Sequence, residues 1–165
     1  VESSVNCTTV SSASSNDLGS SSMNSRKRES RLVKFFADWV LCSRSCACSE
    51  VMLHNADALH IDLSHLDLIC LTHGHYDHTG GLLDALEQTK NVPVFMHSAV
   101  FESKYARNPD GTGHDVGMEE TIKQILREEA SLHWIEKPTP VSDGIWCTGP
   151  VPRTNDFEDT GGAFF

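Results

Sequence analysis

Three observations predict an α/β fold for this chain. Short apolar runs at residues 68–71 and 92–96 have the length and composition of buried strands. Segments with helical spacing of apolar residues alternate with them, at residues 82–88 and 118–130. A dense cluster, His73-Gly74-His75-Tyr76-Asp77-His78, sits at the junction between the first run and the helix that follows it.

The elements follow in chain order. Residues 3–30 are rich in Ser, Asn and Thr and carry few large apolar side chains, so burial cannot offset their ordering entropy. Residues 1–30 are expected to form a disordered Ser-rich tail, and residues 31–165 a partial domain. Ser and Arg enrichment in the tail also fits a transit peptide, although Glu2, Asp17 and Glu29 count against one. Residues 31–40 are apolar-rich and suit either a helix or a strand, whereas residues 41–49 suit neither. Ser49 is placed to cap a helix over residues 50–59, with Glu50 in its first turn. Val51, Ala58 and Leu59 supply part of its apolar face, and His54 belongs to its surface or packing. A turn over residues 61–67, with His60 and His65 in ordinary surface roles, leads into strand 68–71. Cys70 is expected there as a small core hydrophobe.

Beyond the histidine cluster, helix 82–88 leads through Asn91 to strand 92–96. His97 ends that strand, where an α/β sheet presents residues to a site at its strand tips. It has two readings, a neutral imidazole that orients substrate and a strand-end packing residue. Asn108-Pro109-Asp110-Gly111-Thr112-Gly113 is a turn. In helix 118–130, Ile122, Ile125 and Leu126 form a core stripe, with Glu119 and Glu120 at its start and Arg127 near its end. Residues 132–135 and 145–148 are two further strands, joined through Pro138, Pro140 and Gly144.

The cluster itself points to a metal. Imidazole nitrogens and carboxylate oxygens are ligands that zinc, iron and manganese accept, and a catalytic site keeps one position open. Glycines let the backbone fold tightly round one point. The competing reading is a polar turn whose histidines face solvent; the preceding strand and following helix favour the metal.

His73-x-His75-x-Asp77-His78 resembles the metal-binding signature of the metallo-β-lactamase fold superfamily. Other stretches are similar to one branch, which includes the dihydropterin–ribofuranosylaminobenzene phosphate synthases. They are Leu53-His54-Asn55-Ala56-Asp57-Ala58-Leu59-His60-Ile61-Asp62-Leu63, then Pro93-Val94-Phe95-Met96-His97, then Thr148-Gly149-Pro150-Val151-Pro152-Arg153-Thr154-Asn155-Asp156-Phe157-Glu158. The resemblance spans residues 51–158 and implies a partial αββα sandwich. It also implies that His73 and His75 hold one divalent ion and Asp77 and His78 a second. Zinc is the first expectation, with manganese and iron as alternatives. Asp77 is then the catalytic residue as well, orienting the nucleophile. The implied activity is that of a metal-dependent hydrolase or transferase, through metal-activated water or a metal-polarised substrate. The implied partner is a small-molecule substrate, with or without a phosphate, met by His97 and Arg153. Arg153 suits a bidentate contact to phosphate or carboxylate, or a salt bridge to Asp156 or Glu158. Residues 108–113 fall near the family's substrate entrance, as a lid or as an ordinary surface loop.

The chain departs from the family pattern. Phe35-Phe36-Ala37-Asp38-Trp39-Val40 offers an Asp after apolar residues, but no Thr-Gly follows. The family's later histidine ligands have no counterpart, and His97, His114 and His133 lack matching surroundings. The chain therefore resembles the N-terminal half of a two-half fold. Two ligands per ion fall short of the usual three. Metal binding is expected to need another copy or a further segment, and an incomplete sheet invites self-association. The alternative is a truncated or diverged non-catalytic relative that retains the metal loop.

Composition excludes some functions. Thirteen Lys and Arg against 23 Asp and Glu give a net charge of −10, contrary to a nucleic-acid surface or a nuclease. Arg26-Lys27-Arg28 with Arg31 is a basic cluster, suited to a nuclear signal, a phosphate contact or a solvated tail. No apolar run is long enough to span a bilayer. Six cysteines show no disulfide framework; Cys42-x-x-x-Cys46-x-Cys48 is a candidate metal motif that lacks paired spacing. A reducing, cytoplasmic setting is expected.

Overall fold

The computed structural model describes residues 5–9, 48–89, 91–152, 154, 157 and 162–165. The described elements are strand β1 (Val5–Thr9), helix α1 (Cys48–Ala58), a 3-10 turn (Leu63–His65), β2 (Ile69–Cys70), α2 (Tyr76–Thr79), α3 (Leu82–Gln88) and β3 (Pro93–Met96). A second 3-10 turn (Ser98–Phe101) follows, then β4 (Tyr105–Arg107), β5 (Gly113–Asp115), α4 (Glu120–Glu129), β6 (Ser131–Trp134), β7 (Thr139–Ser142) and β8 (Ile145–Pro150).

A parallel sheet runs β2-β3-β6, with Cys70 opposite Phe95 and Phe95 opposite His133. An antiparallel sheet runs β1-β8-β7, and β4 and β5 form a separate hairpin. Strand alternation assigns the two faces of the parallel sheet to different cores. Ile69, Leu71, Val94 and Met96 pack with Met52 and Ala56 of α1, Leu82 and Ala85 of α3, and Ile122 and Leu126 of α4. Leu68, Cys70 and Ile135, with Phe95, pack instead against Cys147 of β8 and Val141 of β7. The order is thus helices, parallel sheet, antiparallel sheet. The α/β expectation and the partial sandwich hold, and both faces of the central strands are buried, as continuous apolar runs require.

The individual elements agree unevenly with expectation. Helix 82–88 is found at those limits, whereas the ladder of strand 68–71 covers only Ile69–Cys70. Leu68 and Leu71 are buried beside it nonetheless. Residues 108–113 form the tip of the β4–β5 hairpin, tied by bonds such as Asn108 N–H to the Thr112 carbonyl. Strand β7 carries Pro140, which an edge strand tolerates because one side of its backbone needs no ladder partner.

One stretch needs correction. Val5–Thr9, expected to be part of a disordered tail, is a strand with Cys7 opposite Cys147 and Thr8 opposite Trp146. The composition argument averaged over the whole tail and missed a short segment with β-branched Val5, Thr8 and Thr9. Antiparallel pairing with β8 gives one side of it ladder partners. Residues 10–47, which include Arg26-Lys27-Arg28, Asp38, Cys42 and Cys46, lie outside the described residues, and so does Arg153.

Candidate metal centre

The histidine loop leaves the C-terminal end of β2 and enters α2 at His75, whose extended backbone precedes the first helical turn. Three contacts hold it. Gly74 lies so close to the second 3-10 turn that an added Cβ would stand 2.1 Å from the Val100 carbonyl oxygen. His75 forms a β-bridge with Gly117, and the Tyr76 N–H donates to the Val116 carbonyl at 2.9 Å. The Thr79 hydroxyl donates back to the His75 carbonyl at 3.0 Å. A loop fixed from both sides presents its side chains without further ordering cost.

Within the loop, His73 Nε2 and His75 Nδ1 face each other at 3.1 Å. Thr72 Oγ1 lies 3.1 Å from His73 Nδ1 and 3.3 Å from His78 Nδ1. The His73 ring also meets those of His75 and His78, with centroids 4.6 Å and 3.9 Å apart. His78 Nε2 stands 3.8 Å from Asp77 Oδ2, and Asp77 is half exposed. Burial is the main reason His73 is held down from 6.5 to about 4. Charge on His78 and His75 adds to this, Asp77 opposes it, and the buried Lys104 contributes in the same sense as burial. His73 is therefore neutral near pH 7, with a lone pair to offer. In the tautomer whose Nδ1–H donates to Thr72, that lone pair is on Nε2, facing His75.

The pair fits a shared cation. Two nitrogens bound to one tetrahedral zinc at about 2.0–2.1 Å each lie roughly 3.3 Å apart. The observed separation is close to that value, and the same distance also accommodates an N–H···N hydrogen bond. Among the described residues, no group of three His, Cys, Asp or Glu side chains is arranged to hold an ion. The structure thus brings His73, His75 and His78 together and sets Asp77 beside His78, with two donors in ligand-like relation.

The other candidate residues have different settings. His97 Nδ1 accepts the Ala99 N–H at 3.1 Å and so caps the second 3-10 turn. That bond puts the proton of the neutral ring on Nε2. The register Cys70 opposite Phe95 brings the ends of β2 and β3, and with them His73 and His97, to one edge of the sheet. His133 stacks on Phe95, and His114 Nδ1–H donates to Asn108 Oδ1 at 2.7 Å.

Sequence reasoning missed three contributors. Thr72 links two imidazoles, and its signal was a hydroxyl directly before the cluster. Lys104 is 8 % exposed and donates to the Ala99 carbonyl at 2.7 Å, beneath the turn that Gly74 touches. Phe164 packs against His75 with ring centroids 5.0 Å apart, while Phe165 pairs its backbone with Tyr105. Nothing local in the sequence indicates either contact, since both depend on long-range packing. A separate cleft, lined by Leu86, Thr89, Asn91 and Ser131 among others, opens at the opposite, N-terminal ends of β3 and β6.

Comparison with known proteins identifies the family. The metallo-beta-lactamase superfamily profile matches residues 20–154. An uncharacterized protein of Methanocaldococcus jannaschii is 39% identical over 93 residues, covering 56% of this chain and 34% of that protein. The 7,8-dihydropterin-6-methyl-4-(beta-D-ribofuranosyl)-aminobenzene-5'-phosphate synthase of the same organism is 30% identical over 110 residues. That match covers 62% of this chain and 35% of the synthase. The chain spans about a third of the length of these curated relatives.

Proposed function

Because the chain belongs to the metallo-beta-lactamase superfamily, we propose that its histidine loop is a divalent-metal site serving a hydrolase or transferase reaction. The observation that carries this reading is the 3.1 Å approach of His73 Nε2 and His75 Nδ1, with His73 kept neutral by burial. His73 and His75 would hold the ion, with Asp77 and His78 as the donors to a second one. A bound zinc, manganese or iron would supply Lewis acidity at this point.

The protein's own residues account for the rest. Thr72 fixes the His73 and His78 rings through their Nδ1 atoms, which sets the direction of the opposite nitrogens. Half-exposed Asp77 is the group able to accept a proton from a nucleophile arriving from solvent. His97, with its proton on Nε2, is a donor for an oxygen of a bound substrate. The partial match to the pterin-pathway synthase favours a small phosphorylated substrate. The reaction type, hydrolysis or group transfer, is left at the level of the family.

The absence of a third gathered donor among the described residues favours a second reading, a non-catalytic relative that retains the loop. One experiment addresses both. The protein is equilibrated with zinc, manganese or iron(II), desalted and weighed by native mass spectrometry, alongside His73→Ala and His75→Ala. The proposal expects metal retained by the parent chain and lost in both variants. Loading below about a tenth of an equivalent with every ion would refute it for this chain. Metal retained without turnover of phosphoester or pterin-type substrates would favour the non-catalytic relative.

A further inference from the structure

The thiols of Cys70 and Cys147 meet across the interior at an Sγ–Sγ distance of 3.4 Å. They come from different layers. Cys70 ends β2 of the parallel sheet, and Cys147 lies in β8 of the antiparallel sheet, so their contact bridges the two sheets. They are 77 residues apart in sequence, and both are buried. A disulfide needs the sulfurs at about 2.05 Å, an approach of about 1.4 Å from their present separation. Two cysteines facing each other add a chemistry beyond packing.

We propose that Cys70 and Cys147 are a modification site, a dithiol that forms a reversible disulfide joining the two sheets. The co-reactant is a low-molecular-weight disulfide. Cys70, the more accessible of the two at 9% exposure, attacks as thiolate on one sulfur of that reagent. One small thiol leaves, and a mixed disulfide remains on Cys70. The Cys147 thiolate then attacks the Cys70 sulfur, the second small thiol leaves, and the protein disulfide closes. Two protein thiols are oxidised and one reagent disulfide is reduced to two thiols, so atoms and electrons balance. Local opening of the core edge supplies the access that the first attack needs. The link closes a long loop, which restricts the unfolded chain and so stabilises the fold. Because Cys70 lies three residues before His73, it would also tether the root of the histidine loop to the second sheet.

The test uses the natural chain. The folded protein is incubated with 2-hydroxyethyl disulfide, quenched with acid, denatured, alkylated with iodoacetamide and digested with trypsin and a Glu-specific protease. Cleavage after Glu50 separates Cys70 from Cys46 and Cys48, so the linked partner is identified unambiguously. The expected result is a peptide pair joining Cys70 to Cys147, carrying the majority of Cys147 and absent after dithiothreitol. The midpoint of thermal unfolding should rise on oxidation and fall back on reduction. Cys70→Ser should abolish that peptide pair. Full alkylation of both thiols after treatment that oxidises a reference dithiol protein would overturn the proposal. So would arrest at a hydroxyethyl adduct on Cys70, which would show that the second sulfur cannot reach it.

Discussion

Replacing Gly74 with alanine tests whether the loop is held by direct backbone contact with the second 3-10 turn. An alanine Cβ would stand 2.1 Å from the Val100 carbonyl oxygen and 2.9 Å from its carbonyl carbon. Reaching even 3.0 Å requires a shift of 0.9 Å, taken as 3.0 minus 2.1. Val100 is 1% exposed and packed in the main core, so the strain is shared between core and loop. Overpacking of this kind costs about 1–3 kcal/mol. Gly81→Ala is the internal comparison. There the new Cβ meets the Met52 side chain, with the sulfur at 2.8 Å, and a flexible thioether can rotate away. Its cost should stay below about 1 kcal/mol, since volume changes absorbed by a methionine are mild. Urea unfolding followed by circular dichroism measures both. If Gly74→Ala unfolds at the same urea concentration as the parent, or Gly81→Ala proves the more damaging, the contact argument fails.

Other expectations concern the site and the core. Thr72→Val keeps the shape but removes the hydroxyl between His73 and His78, and should weaken zinc binding roughly 10–100-fold by competition with a chromophoric chelator. Leu126 is fully buried among helix and sheet residues, so Leu126→Ala should cost about 2–5 kcal/mol in urea unfolding. In metal-free protein, His73 is neutral when folded and titrates near 6.5 when unfolded, so the unfolded state binds the extra proton as pH falls. Stability from this group is therefore present above pH 6.5 and is lost as pH falls towards about 4. Discounted for its partial exposure, the loss is on the order of 1–2 kcal/mol, and His73→Gln should flatten the profile between those limits.

How much of this was legible in sequence depended on whether a signal was local. The run at residues 68–71 was visible because both of its faces are buried, which leaves no polar residue to break the pattern. Helix 118–130, found as Glu120–Glu129, was legible for the opposite reason: Glu120, Lys123 and Arg127, linked by ion pairs, stand apart from the stripe of Ile122 and Leu126. Strands β4 and β5, three residues each, are too short to show any period, and Pro140 argued against a strand in β7. At the site, ligand-type residues stood out by their density. Their support did not. Lys104, Val100, Gly117 and Phe164 reach the loop only through tertiary contacts, so spacing in the sequence carries no trace of them.

The geometry of the loop bears on what completes the site. His73 and His75 are set by contacts already in place: Gly74 against Val100, His75 against Gly117, and Thr72 on the His73 ring. No rearrangement of the backbone is needed to present their two nitrogens, so the ordering cost of the first two donors has been met in folding. Further donors must then add affinity steeply, because each one joins a fixed pair instead of assembling a flexible one. His78 is the nearest candidate, since its ring already touches that of His73 and its Nδ1 shares Thr72. His78→Ala should accordingly reduce metal affinity more than Asp77→Asn if the third donor is His78, and less if the ion is held with Asp77.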